Sequence, residues 1–271
     1  MDIKRVTSII LGFPLVVLIL TLGNKYIVDI CLAVIAMLAM QEFFNAVSKD
    51  AKPVKWIGYL SCLFIGLIHI VPTYLPQLPI NQILALGIPT ILLILFAQVI
   101  FTNMKTNFKD IAYTFFGMAY VIGLIVFVAL LRGLDNGRIL VWYAIIAAWG
   151  TDTCAYLVGM RFGKHKLSKI SPKKSVEGAI GGIIGATVLA TLYTLIMNNI
   201  YNLEISCLYV TITTIILSII GQIGDFAASS IKRYVDVKDY SNLIPGHGGM
   251  LDRIDSLMFI APFAYVLFSI I

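Results

Sequence analysis

Apolar stretches of roughly 20 residues alternate with short polar connections along this chain, and little else intervenes. An α-helix rises ~1.5 Å per residue and the hydrocarbon core of a bilayer is ~30 Å thick, so each stretch is expected to form a membrane-crossing helix. The expected spans are 6–22, 27–44, 54–71, 83–101, 111–131, 139–160, 179–197, 208–228 and 257–271, about nine in all. The pattern thus predicts an all-α, polytopic integral membrane protein. No hydrophilic stretch is long enough for a separate soluble domain. A single membrane domain is expected over 1–271, with a transmembrane scaffold in 1–105 and a catalytic half in 106–271 carrying cytoplasmic active-site loops. The first span follows Lys4 and Arg5 as a signal peptide would, but Leu20, Thr21, Leu22, Gly23 and Asn24 fit a small-x-small cleavage site poorly. A retained helix is expected.

Composition supports the same solvent. Apolar residues make up 59% of 271 positions and charged residues 13%, against about 25% charged in soluble domains. So little charge cannot coat a water-facing surface. The formal net charge of +6 does not point to nucleic acid, because the cations sit in short loops between spans. With the N-terminus in the cytoplasm, seventeen of the twenty Lys and Arg residues fall on the cytoplasmic side, and only Lys25, Arg132 and Arg138 fall outside. The positive-inside rule therefore predicts a multi-pass protein of the inner (cytoplasmic) membrane, with N-terminus in and C-terminus out. Cys31, Cys62, Cys154 and Cys207 are scattered and apolar-flanked, and read as buried hydrophobes.

The polar chemistry is concentrated in 145–256. Asp152, in the run Trp149–Gly150–Thr151–Asp152–Thr153, lies inside an apolar helix, where an unpaired charge costs at least about 2.5 kcal/mol. It needs a cationic partner or a wet cavity; a salt bridge to a loop lysine is the plainer of the two. Lys173, Lys174 and Ser175 lead into a helix whose first turn offers free N–H groups to a phosphate. The Gly159–Lys164 run resembles a P-loop but has the wrong spacing. Gly178, Gly182 and Ala186, like Gly181 and Gly185, recur every fourth residue, which predicts close helix packing and is compatible with a homodimer.

The densest segment begins Gly221-Gln222-Ile223-Gly224-Asp225. It continues through Ser229, Lys232, Arg233, Lys238, Asp239 and Pro245-Gly246-His247-Gly248-Gly249 to Asp252, Arg253 and Asp255. Under the expected topology Asp152, Asp225 and Asp252 reach one depth near the cytoplasmic surface. Carboxylates gathered there repel one another unless a cation joins them, and hard oxygen ligands suit Mg²⁺, with room for a second cation. The interleaved bases suit a metal-bound triphosphate or a phosphate ester.

These motifs resemble the phosphatidate cytidylyltransferase (CDP-diacylglycerol synthase) family. That signature comprises Ser229, Lys232, Arg233, Lys238, Asp239, Ser241, Pro245, His247, Gly248, Gly249, Asp252, Arg253 and Asp255 here. Gly150–Tyr156, Ser171–Gly178 and Gly221–Asp225 are similar to the same family. One position departs from it: many members carry Glu three residues after the Gly-Asp aspartate, where this chain has Ala228. The resemblance implies that CTP and phosphatidate give CDP-diacylglycerol and pyrophosphate at the bilayer surface. It makes Asp225 and Asp252 the main metal carboxylates, with Asp152 as a further candidate.

A phosphomonoester is already largely dianionic at neutral pH, so no strong general base is expected; alignment and charge neutralisation are. Lys232, Arg233, His247 and Arg253 are the expected catalytic partners of Asp225 and Asp252. Lys173, Lys174, Ser175, Ser229, Lys238, Gly248 and Gly249 are expected to bind substrate phosphate. A CTP-dependent lipid or polyprenol kinase and a membrane transporter are the alternatives. The CDP-alcohol phosphotransferase pattern is absent from the sequence.

Overall fold

The computed structural model describes residues 3–168, 170–246 and 248–270, with side chains from residue 12 onward. Lys169, the expected catalytic partner His247 and the side chains of Lys4 and Arg5 lie outside the described residues. Among the described residues every regular element is a helix. They run α1 Ile3–Leu22, α2 Lys25–Ala46, α3 Lys55–Leu67, α4 Ile70–Tyr74, α5 Ile80–Ala85, α6 Gly87–Phe101 and α7 Phe108–Gly133. Then follow α8 Gly137–Ile145, α9 Thr151–Phe162, α10 Val176–Tyr201, α11 Cys207–Tyr234 and α12 Leu251–Phe268. Among the described residues, four segments, Lys25–Lys49, Phe108–Gly133, Val176–Tyr201 and Cys207–Tyr234, are long and apolar enough to cross a membrane. Of the other expected spans, those at 6–22 and 257–271 fall on α1 and α12, and the one at 83–101 falls on α5 and the shorter α6. The stretch expected at 54–71 divides into α3 and α4, and the one at 139–160 contains a π-helical turn, Ile146–Gly150, between α8 and α9.

Local signals set these boundaries. Asn24 accepts a hydrogen bond from the N–H of Ile27 and caps α2. Asn107 and Asp110 exchange side-chain and backbone hydrogen bonds at the start of α7 (3.0 and 2.9 Å), a reciprocal cap. Asn202, with φ 50°, ends α10 in the left-handed region that Asn tolerates.

The chain divides into two compact units. The first comprises residues 1–129 and 235–252, the second 130–234 and 253–271. In the first, α2 packs on α3, and Phe43 and Phe44 form its centre with Met40, Ile65 and Val121, all at most 1% exposed. The rings of Phe43, Phe116 and Tyr120 lie 5.8–6.2 Å apart. A Cβ on Gly58 or Gly117 would strike the Phe44 or Phe43 ring at 2.5 and 2.8 Å, so glycine is what admits the aromatics.

In the second unit, α10 packs on α9 and α11. Gly178, Gly182, Ala186, Ala190 and Thr194 form its buried stripe, while Ile180, Ile184, Val188, Leu192 and Leu195 are exposed. Small residues inside and large apolar ones outside are the arrangement of a lipid-facing helix. A Cβ at Gly182 would stand 2.7 Å from the Thr151 carbonyl oxygen, and one at Gly178 2.8 Å from that of Ala155. The four-residue repeat is therefore taken up by α9. Gly221 and Gly224 bring α11 equally close to Ile260 and Phe259 of α12.

Candidate active site

In the second unit the chemistry starts with the loop from Gly163 to Ser175. The N–H of Leu167 donates to the Lys174 carbonyl (2.9 Å), that of Lys174 to Ser171 (3.1 Å) and that of Val176 to His165 (2.9 Å), folding the loop back on itself. Glu177, in the first turn of α10, accepts from the N–H groups of Lys164 and His165 and lies 2.5 Å from His165 Nδ1. Ser175, expected to meet phosphate, caps α10 by accepting from the N–H of Gly178 at 3.1 Å.

This folding fixes the backbone of Lys174, whose ammonium pairs with Asp225 Oδ2 on α11. The same Nζ lies 4.8 Å from the centroid of Phe226, a cation–π contact that the sequence reading did not anticipate. Ser229, one turn beyond Asp225, directs its hydroxyl to Oδ1 at 3.5 Å. Asp152 experiences Asp225 as a like charge and Lys174 and Arg253 as opposite ones. Asp255, 7% exposed on α12, is repelled by Asp225 and Asp152 and attracted by Lys232, which is 8% exposed. Acids and bases from α9, the loop, α11 and α12 thus form one electrostatic group. Asp255 belongs to it although only its motif position had marked it.

Two further features hold this group in place. The π-helical turn ends at Gly150, immediately before Thr151 and Asp152, and such turns re-aim the residues that follow. The Thr151 and Ser218 hydroxyls are 2.5 Å apart, tying α9 to α11. Lys173, Arg233 and Arg253 are exposed. Ala228 is fully buried.

In the first unit, Asp252 organises the loop before it. Its Oδ2 accepts from the N–H groups of Tyr240 (2.9 Å) and Gly249 (3.0 Å). Gly248 has φ +83°, and a Cβ there would meet Asp252 Oδ2 at 3.0 Å. Both reasons for glycine are internal to the loop. Lys238 is exposed. Glu42 of α2, only 5% exposed, grips the same loop: it accepts from the Ser241 hydroxyl (2.6 Å) and from the N–H groups of Met250 (2.9 Å) and Leu251 (2.7 Å). The segment expected to be scaffold thus contributes a carboxylate to the signature loop. The missed signal was an acid inside an apolar span.

Among the described residues, no group of three or more His, Cys, Asp or Glu is gathered as for a metal ion. The carboxylate oxygens of Asp225, Asp252 and Asp152, the expected ligands, each have the hard-donor chemistry that suits Mg²⁺. The Lys174 ammonium supplies the positive charge at Asp225 in this structure.

Known proteins are similar to this chain in sequence. The profile of the Cytidylyltransferase family matches residues 3–271. A phosphatidate cytidylyltransferase of Bacillus subtilis is 42% identical over 172 residues, covering 63% of this chain and 61% of that protein. Phosphatidate cytidylyltransferases of Staphylococcus haemolyticus and Staphylococcus aureus are each 34% identical and cover 98% of both chains. A match of this extent at this identity decides the matter: the chain belongs to the cytidylyltransferase family.

Proposed function

We propose that this chain is a phosphatidate cytidylyltransferase. A phosphate oxygen of phosphatidate attacks the α-phosphorus of CTP in line, and the bond to the departing pyrophosphate breaks, leaving CDP-diacylglycerol. The observation that carries this reading is the Lys174–Asp225 pair, with Asp152, Asp255, Lys232 and Arg253 acting on the same group inside an apolar helical unit. Alternating charges of both signs suit a polyanion accompanied by a cation.

Asp225, with Asp152, would hold Mg²⁺, which would supply charge neutralisation to the triphosphate. Lys174 then exchanges its carboxylate partner for substrate phosphate, and the Phe226 ring and the folded loop keep its ammonium within reach. Lys173, Arg233 and Arg253, all exposed, are available to phosphate oxygens, and Lys232 balances Asp255. The acyl chains of phosphatidate stay in lipid while its head group meets CTP at the cytoplasmic surface of the cell membrane. The lysine distribution supports that orientation.

Purified protein given labelled CTP, phosphatidate and Mg²⁺ tests the proposal. The expected result is lipid-soluble label with stoichiometric pyrophosphate. Release of CDP instead would make the protein a lipid kinase, and solute uptake into liposomes without nucleotide would make it a transporter.

A further inference from the structure

We infer that Glu42 is a positioning residue for the reaction, tying together the two ends of the loop that joins Ser241 to Leu251. The inference rests on the proposed function for its catalytic readout, but its structural basis is independent. Glu42 sits near the end of α2, an apolar helix, and is 5% exposed. A buried carboxylate is strongly unfavourable without compensation. Among the described residues Glu42 forms no ion pair. Its compensation comes from three donors of one loop: the Ser241 hydroxyl at 2.6 Å and the Met250 and Leu251 N–H groups at 2.9 and 2.7 Å. The two N–H groups lie at the start of α12, where the first-turn amides lack helical partners and the helix dipole favours an anion.

The three donors are not neighbours. Ser241 is at one end of the loop and Met250 and Leu251 are at the other, so a single side chain ties both ends together. Between them lie Gly246 and Gly248, with φ of 78° and 83°, which leave the backbone little stiffness of its own. Gly249 passes so close that a Cβ there would stand 2.5 Å from Glu42 Oε2. Asp252 grips the same loop through Tyr240 and Gly249. Two carboxylates thus define its path, and one of them comes from a helix outside every motif of the C-terminal half.

The test uses the full chain in nanodiscs. Glu42→Gln preserves volume but replaces an acceptor oxygen with an NH₂ group facing donors. It is expected to raise KM for CTP about tenfold or more and to lower kcat/KM about 100-fold. Tm should stay within a few degrees and tryptic cleavage after Lys238 should accelerate. Ser241→Ala removes one donor and is expected to shift KM in the same direction by about threefold. A merely structural Glu42 would lower Tm and the folded yield while leaving KM for both substrates unchanged; that result overturns the inference. Should Glu42→Gln fail to fold, unchanged KM in Ser241→Ala overturns it as well. If the wild-type protein makes no lipid-soluble product, the proposed function falls. Cleavage after Lys238 then still decides whether Glu42 holds the loop.

Discussion

Lys174, in the loop before α10, and Asp225, in the last third of α11, form an ion pair across 51 residues of sequence. Their side chains are 29% and 22% exposed, so neither charge is fully hydrated and each depends on the other. Removing one partner of such a pair leaves a poorly solvated charge behind, a larger loss than that of an exposed surface pair. The pair also joins two motifs that are separate in sequence.

Asp225→Asn should reduce cytidylyl transfer by about 10³-fold or more, on the scale of losing a principal electrostatic stabiliser. Membrane insertion should be unaffected. Turnover measured at saturating CTP and phosphatidate, beside the yield of inserted protein, checks this. Near-wild-type turnover would remove Asp225 from the reaction.

Lys174→Ala and Lys174→Arg separate charge from shape. Alanine should cost about 100-fold in kcat/KM for CTP. Arginine should restore part of it, because it keeps the charge and can still lie against the Phe226 ring. Equal activity in both variants would show that the cation is dispensable.

Gly248→Ala should impair the enzyme through the loop and not through lost contact with a ligand. At φ +83° an alanine carries a backbone penalty of about 1–2 kcal/mol, and its Cβ would press on Asp252 Oδ2. Activity should fall and proteolysis between Lys238 and Asp252 should rise together. Unchanged protease resistance with lost activity would point instead to a direct ligand role.

Gly182→Leu tests the α9–α10 contact. A side chain there has only 2.7 Å to the Thr151 carbonyl oxygen, so the helices must separate. Overpacking of this kind costs about 1–3 kcal/mol. A Tm several degrees lower in detergent is expected, with activity lost through displacement of Asp152, one residue from Thr151. Wild-type Tm would mean that the stripe is not tightly packed.

Chelation should abolish activity and added Mg²⁺ should restore it, if the carboxylates of Asp225 and Asp152 act through a cation. In Asp152→Asn the Mg²⁺ concentration for half-maximal activity should rise by about tenfold. Full activity in excess chelator would exclude the metal reading.

The sequence by itself determined the helical class and the approximate place of the apolar elements, because hydrophobic length and helix caps act over a few residues. It also exposed Asp152, Asp225 and Asp252 as acids needing a reason, and the Gly178–Gly182–Ala186 repeat as a packing surface. It did not determine which charges meet. Lys174 pairs with Asp225, Asp255 joins the same group, and Glu42 reaches Leu251 across 209 residues. Those partnerships depend on how each helix is rotated about its axis and on the path of two folded loops. No local periodicity encodes either, so only tertiary packing could decide them.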